Sequence, residues 1–177
     1  MPNSPASSFP LPPDTCEVHA HDHVMRYRRS GAGRAVLMLR SGSAPEPLWP
    51  ELPDALAARF RLIVPELSAG DGEVVAWIAD FLEGLGIESV AIVAADGFCA
   101  PAVELTLLGD DRVTRLVLVP DDAAGAVGLD GALATTAREE PVPLLVVRRG
   151  LPAAEALPLV TGFLDGDGTA PSGAMMS

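Results

Sequence analysis

Two short stretches of this 177-residue chain carry side chains whose types and spacing could do chemistry. In VAADGFCA, residues 93–100, the carboxylate of Asp96 stands where one apolar run ends and another begins, which reads as a strand handing over to a helix. On a strained turn that aims it outward such a carboxylate is a nucleophile, whereas one that accepts from the first free N–H groups of the helix is an N-cap. In VHAHDH, residues 18–23, His19, His21 and His23 alternate, and on one face of a strand three neutral imidazoles can gather a zinc or nickel ion. If residues 21–23 instead form the turn of a hairpin, the rings diverge, and a polar hairpin without distant ligands is the preferred reading. No metal and no cofactor are therefore expected.

The elements that must position these groups are legible as alternating β-rich and helical runs. A hairpin at 17–21 and 24–29 is followed by AVLML at 35–39, RLIVP at 61–65, SVAIVA at 89–94, VTRLVLV at 113–119 and PLLVV at 143–147. These later runs are nearly unbroken in apolar residues, as parallel strands covered on both faces are. Between them, EVVAWIADFLEGLG puts Val74, Val75, Ile78, Phe81, Leu82 and Leu85 on one helical stripe with Gly86 as a stop. LWPELPDALAARF reads as a helix bearing Trp49, Leu52, Leu56 and Phe60, and FCAPAVELTLLG as another closed by Gly109. The expected fold class is α/β: a doubly wound, mainly parallel sheet with helices on both faces and an antiparallel hairpin at its N-terminal edge. Any site then belongs at the C-terminal ends of the strands.

Composition narrows the partners. A net charge of −12, from 24 acidic and 12 basic side chains, repels a phosphate backbone and an anionic membrane surface, so nucleic acid and membrane are excluded as partners. Cys16 and Cys99 are too few for a disulfide scaffold, no basic segment followed by an apolar one opens the chain, and no apolar stretch reaches spanning length, so a cytoplasmic protein is expected. Residues 1–14, rich in proline and serine, are expected to be a disordered arm, 15–164 a single domain and 165–177 a disordered tail.

The wording of the central elements adds a resemblance. YRRSGAGRAVLMLRSG from Tyr27 to Gly42, LAARFRLIVPEL from Leu56 to Leu67, the run from Phe81 to Val93 and DRVTRLVLV from Asp111 to Val119 stand in the order of the corresponding pieces of the α/β-hydrolase superfamily. No single piece is specific; the four in order are similar to that family. The resemblance implies a shortened member without a lid, since only residues 121–140 separate the sixth strand from PLLVV, and nothing between PLLVV and AEALPLVTGFLDG reads as an eighth strand.

The resemblance also implies roles. The family's nucleophile sits on a sharp turn after the fifth strand, normally G-x-S-x-G, and the match puts Asp96 there, as in haloalkane and fluoroacetate dehalogenases. Gly97 with Ser41 and Gly42 would form the oxyanion or ligand loop, and Asp121 or Asp122 would supply the acid after the sixth strand. Three features oppose catalysis. Phe98 stands where the turn wants glycine, all three histidines precede Asp96, and no acid follows Arg148-Arg149-Gly150 before Glu155. Arg40, in place of the usual histidine after the third strand, reads as a solvated surface side chain. The expectation is therefore that Asp96 caps a helix. The protein is read as a degenerate, non-catalytic binding or accessory protein, the alternative being a hydrolase of an ester or carbon–halogen bond with Asp96 as nucleophile. Surface left bare by the missing lid points to a homo-oligomer or a protein partner and leaves room for a small-molecule ligand.

Overall fold

Side chains alternate between the two faces of a strand, so an unbroken apolar run can be buried on both sides only between two layers of helix. The central strands do this. In the computed structural model, which describes residues 15–20, 23–40, 49–67, 74–120 and 142–166, all five residues of β3 (Ala35–Leu39) and all six of β5 (Val90–Ala95) are buried. The other strands are β1 (Thr15–Ala20), β2 (His23–Ser30), β4 (Arg61–Pro65), β6 (Val113–Val119) and β7 (Leu144–Val146). Helices α1 (Leu52–Ala57), α2 (Val74–Gly84), α3 (Cys99–Leu107) and α4 (Ala153–Asp165) lie between and after them, with one 3₁₀ turn, Asp96–Phe98, between β5 and α3.

The strands form one seven-stranded sheet in the order β1-β2-β4-β3-β5-β6-β7. β1 pairs antiparallel with β2 and β2 antiparallel with β4, while the pairs from β4 to β7 are parallel. This is the expected mainly parallel sheet with its antiparallel N-terminal edge, and among the described residues it ends at β7.

Two cores follow from the alternation. Leu37, Leu39, Ile92, Ala94, Leu116 and Leu118 face Ile78, Phe81 and Leu82 of α2 and Ala102, Val103 and Leu105 of α3. Val36, Met38, Val93, Ala95, Val117 and Val119 face Leu52 and Leu56 of α1 and Ala156, Val160 and Phe163 of α4. Every one of these side chains is at least nine-tenths buried, and burial of this apolar surface is the main force holding both layers.

The structure corrects some boundaries. α1 is shorter than its sequence pattern: Trp49 lies outside it with φ of +35°, and the helix begins at Leu52 with proline in its first turn, where a missing N–H breaks no helical bond. Asp165 is the last residue of α4, not the start of a tail, and its carboxylate meets Arg34 and Arg59. Gly31, in the link from β2 to β3, has φ of +72°, and a Cβ there would sit 2.2 Å from the carbonyl oxygens of both Ala57 and Phe60. Only glycine lets this turn lie against the end of α1. Residues 1–14, 121–141 and 167–177 are outside the described residues, and with them the expected arm, most of the expected tail and the short connection in place of a lid. No described helix is long and apolar enough to cross a membrane.

Candidate functional site

β3 and β5 are neighbours, yet the chain leaving β3 runs to α1 on one face of the sheet, and the chain leaving β5 runs to α3 on the other. Where two adjacent parallel strands send their connections to opposite faces, a crevice opens beyond their C-terminal ends. Arg40 follows β3 there and is half-buried, so it is less solvated than its type suggests. Asp96 follows β5, and two strands further on Arg148 and Arg149 follow β7.

The turn at Asp96 is not the one expected. A helix N-cap needs an extended backbone, and here Ala95, with φ −126° and ψ 159°, takes that conformation. Asp96 has already turned into the left-handed region at φ +57° as the first residue of the 3₁₀ turn. Asp96 thus lies inside the 3₁₀ turn and not at its N-cap position, which Ala95 holds, nor at that of α3, which Phe98 holds, so the expected N-cap position for Asp96 is corrected. Holding a non-glycine residue in this region costs on the order of 1 kcal/mol, which aspartate tolerates better than most residues.

Phe98 does not crowd this turn as its bulk suggests. It is only 5% exposed and belongs to the core under α2 and α3, so its side chain anchors the start of α3 instead of obstructing it. Gly97 stands exposed between the two, and a Cβ there would meet nothing within 4 Å. At the same point the Cys99 thiol donates to the carbonyl of Ala94 at 3.4 Å, tying the helix start back to β5.

The Asp96 carboxylate is in ion-pair contact with the guanidinium of Arg149, the two side chains being 14% and 37% exposed. The turn that carries Arg149 is fixed independently of this pair. Leu151 N donates to Arg148 O at 3.1 Å, and the indole N–H of Trp49 donates to Leu151 O at 2.8 Å, anchoring the turn to the segment before α1. A carboxylate engaged by a guanidinium is a weaker nucleophile for that engagement.

Sequence reasoning missed both Arg149 as a partner and Trp49 as its support. The available signal was two consecutive arginines directly after an apolar strand, at the place where the family resemblance implies an acid.

Of the remaining candidates, Ser41, Gly42, Asp121, Asp122 and His21 lie outside the described residues. His19 is exposed on β1 opposite Val24, and His23 opens β2 opposite Ala20. Among the described residues no group of three or more histidine, cysteine or acidic side chains converges as a metal site would require. A cavity of roughly 740 Å³ lies between α2 and α3, lined by Val75, Ala79, Pro101, Glu104, Leu108 and Asp110. Its Asp110 is engaged by Arg112 at 2.6 and 2.8 Å.

No protein-family model matches the chain, and no curated protein matches it by sequence. Solved structures do. Haloalkane dehalogenase DbeA from Bradyrhizobium elkani USDA94 is 21% identical over 59% of this chain and 40% of its own, with a TM-score of 0.51. Carboxylesterase CesB (YbfK) from Bacillus subtilis is 19% identical over 64% of this chain and 45% of its own, with a TM-score of 0.53. A meta-cleavage product hydrolase, CumD, is 22% identical over 59% of this chain and 44% of its own, with a TM-score of 0.51. The match spans less than half the length of each of these structures.

Proposed function

The chain has the α/β-hydrolase fold, and on that scaffold we propose that it is a catalytically degenerate protein that binds a small ligand or a partner at the strand ends without cleaving it. The observation that carries this reading is the contact between Asp96 and Arg149. An attacking carboxylate needs a free oxygen facing its substrate and a base that later activates water. Here the carboxylate faces a guanidinium instead, and every histidine of the 177 residues lies at 19–23, on or beside the β1–β2 hairpin at the far edge of the sheet.

The test is a turnover screen of the purified protein against activated esters and haloacids, with Asp96→Ala as the control. No turnover above background is the expected result. Turnover abolished by Asp96→Ala would overturn the reading.

One observation favours a second reading, hydrolysis of an ester or carbon–halogen bond by Asp96. The left-handed torsion at Asp96, with open space over Gly97, is the shape that presents a nucleophile outward. In that case Asp121 or Asp122 would assist, with donors from Gly97 and the Ser41-Gly42 loop, and the same screen decides between the two.

A further inference from the structure

α3 is apolar on nearly every side. Its sequence is CAPAVELTL, with Glu104 the only charged residue, and Cys99, Ala102, Val103, Leu105 and Thr106 are buried. Such a helix belongs in a covered place, yet Leu108 at its end is 73% exposed, the most exposed large apolar side chain among the described residues. Leu108 borders the cavity of roughly 740 Å³ that α3 shares with α2. Ala76 and Ala79 of α2 are too short to fill that space, and Val75, Leu105 and Leu108 wall it with apolar surface. Its volume is that of a small-molecule site.

We infer that this cavity binds a small organic cation, an apolar body carrying one ammonium group, with the body against Val75, Leu105 and Leu108 and the ammonium at Glu104. The cavity shares no lining residue with the contact between Asp96 and Arg149, so the inference is independent of what Asp96 does.

Charge decides the class of ligand. Glu104 lines the cavity and is exposed, and no ion pair among the described residues engages it. Asp110, also on the lining, is held by Arg112, whose guanidinium donates to the Ala79 carbonyl as well, so this arginine is already occupied. A helix presents a partial negative charge at its C-terminal end, and the last turn of α3 has no basic residue to offset it. The neighbouring charges in the sequence have the same sign: Asp111 follows Asp110, and Asp71 and Glu73, outside the described residues, precede α2. An anionic ligand meets repulsion from each of these groups, and a neutral one leaves Glu104 unused.

The experiment is calorimetric titration of n-octylammonium, n-octanol and octanoate, one apolar chain with a positive, neutral or negative head, into the full chain at constant ionic strength. Octylammonium is expected to bind once per chain, about threefold to fivefold more tightly than octanol, the gain an exposed ion pair gives, with octanoate weakest. Glu104→Gln should bring octylammonium down to octanol. Glu155→Gln, in the first turn of α4, removes the same charge from the other helical layer and should leave the difference intact. Ala76→Leu, at an exposed position, fills the cavity without altering the core and should weaken octylammonium and octanol alike by about tenfold. Leu108→Ser, which removes an exposed wall, is the second variant and should weaken both as well. Absence of octylammonium binding, equal affinity for the three heads, a difference untouched by Glu104→Gln, or affinity that survives both Ala76→Leu and Leu108→Ser overturns the site. Sedimentation of the ligand-free protein is the remaining arm. A mass above the monomer that Leu108→Ser returns to the monomer would show a second copy covering the cavity and would overturn the site too.

Discussion

Replacing Arg149 by methionine keeps the length and apolar stem of the side chain and removes its charge, leaving the Asp96 carboxylate, 14% exposed, without that cation. The size of the loss follows from where the pair sits between two limits. Exposed ion pairs contribute about 0–1 kcal/mol, and breaking a fully buried pair costs about 3–5 kcal/mol. With one side chain mostly buried and the other 37% exposed, the expected loss is about 2 kcal/mol, which for a chain of this size lowers Tm by about 4–8 °C. Asp96→Asn keeps shape and torsion and leaves a guanidinium that water can reach, so its own loss is smaller, about 1 kcal/mol. If the two groups act on each other, the double variant loses about 2 kcal/mol and not the sum of the single losses, a coupling of about 1 kcal/mol. Urea denaturation of the four proteins at low and high salt measures this, and the coupling should persist in salt because partly buried charges are poorly screened. A change under about 0.5 kcal/mol for Arg149→Met, or additive losses in the double variant, would refute the reasoning.

Gly31→Ala is expected to cost about 3 kcal/mol or more, since it adds a clash with two carbonyl oxygens to an unfavourable φ, whereas Gly97→Ala, with open space and no left-handed torsion, should stay within about 0.5 kcal/mol; thermal melts of the pair check both. Trp49→Phe removes the donor to Leu151 O and should lose about 1–2 kcal/mol in urea denaturation. Burial first, and then the neighbouring Cys16, raise the Tyr27 phenol above its ordinary value. The stability that comes from keeping it neutral is fully present below about pH 10 and is lost as pH rises through the raised value, so Tyr27→Phe should flatten the alkaline decline in Tm above about pH 10. An unchanged slope would count against that assignment.

The fold was largely written in local pattern. Nearly unbroken apolar runs such as SVAIVA and VTRLVLV are satisfied between two helical layers, and the glycines after α2 and α3, at 86 and 109, both adopt the left-handed torsion that ends a helix. The pattern misjudged α1, where Trp49 carries the right apolar spacing for a helix but is held outside it, its indole bonded to Leu151 at the β7–α4 turn. Periodicity registers which side chains are apolar, and a single long-range hydrogen bond leaves no trace in it.

At the site, the sequence by itself placed Asp96 at the end of β5 and put β5 among the parallel strands, because strand and helix patterns are local and the C-terminal end of such a sheet is where connections diverge. It did not decide what Asp96 does. Asp-Gly is equally at home as a helix cap and as a left-handed turn, and the choice depends on Phe98 being buried in the core under α2 and α3, which sets how α3 leaves the strand. The partner of the carboxylate was decided only by tertiary structure, since Arg149 arrives from β7, two strands away in the sheet, on a turn held by Trp49. A charge pair between distant segments is fixed by the packing of the layers that carry them, and no local preference of either residue encodes it.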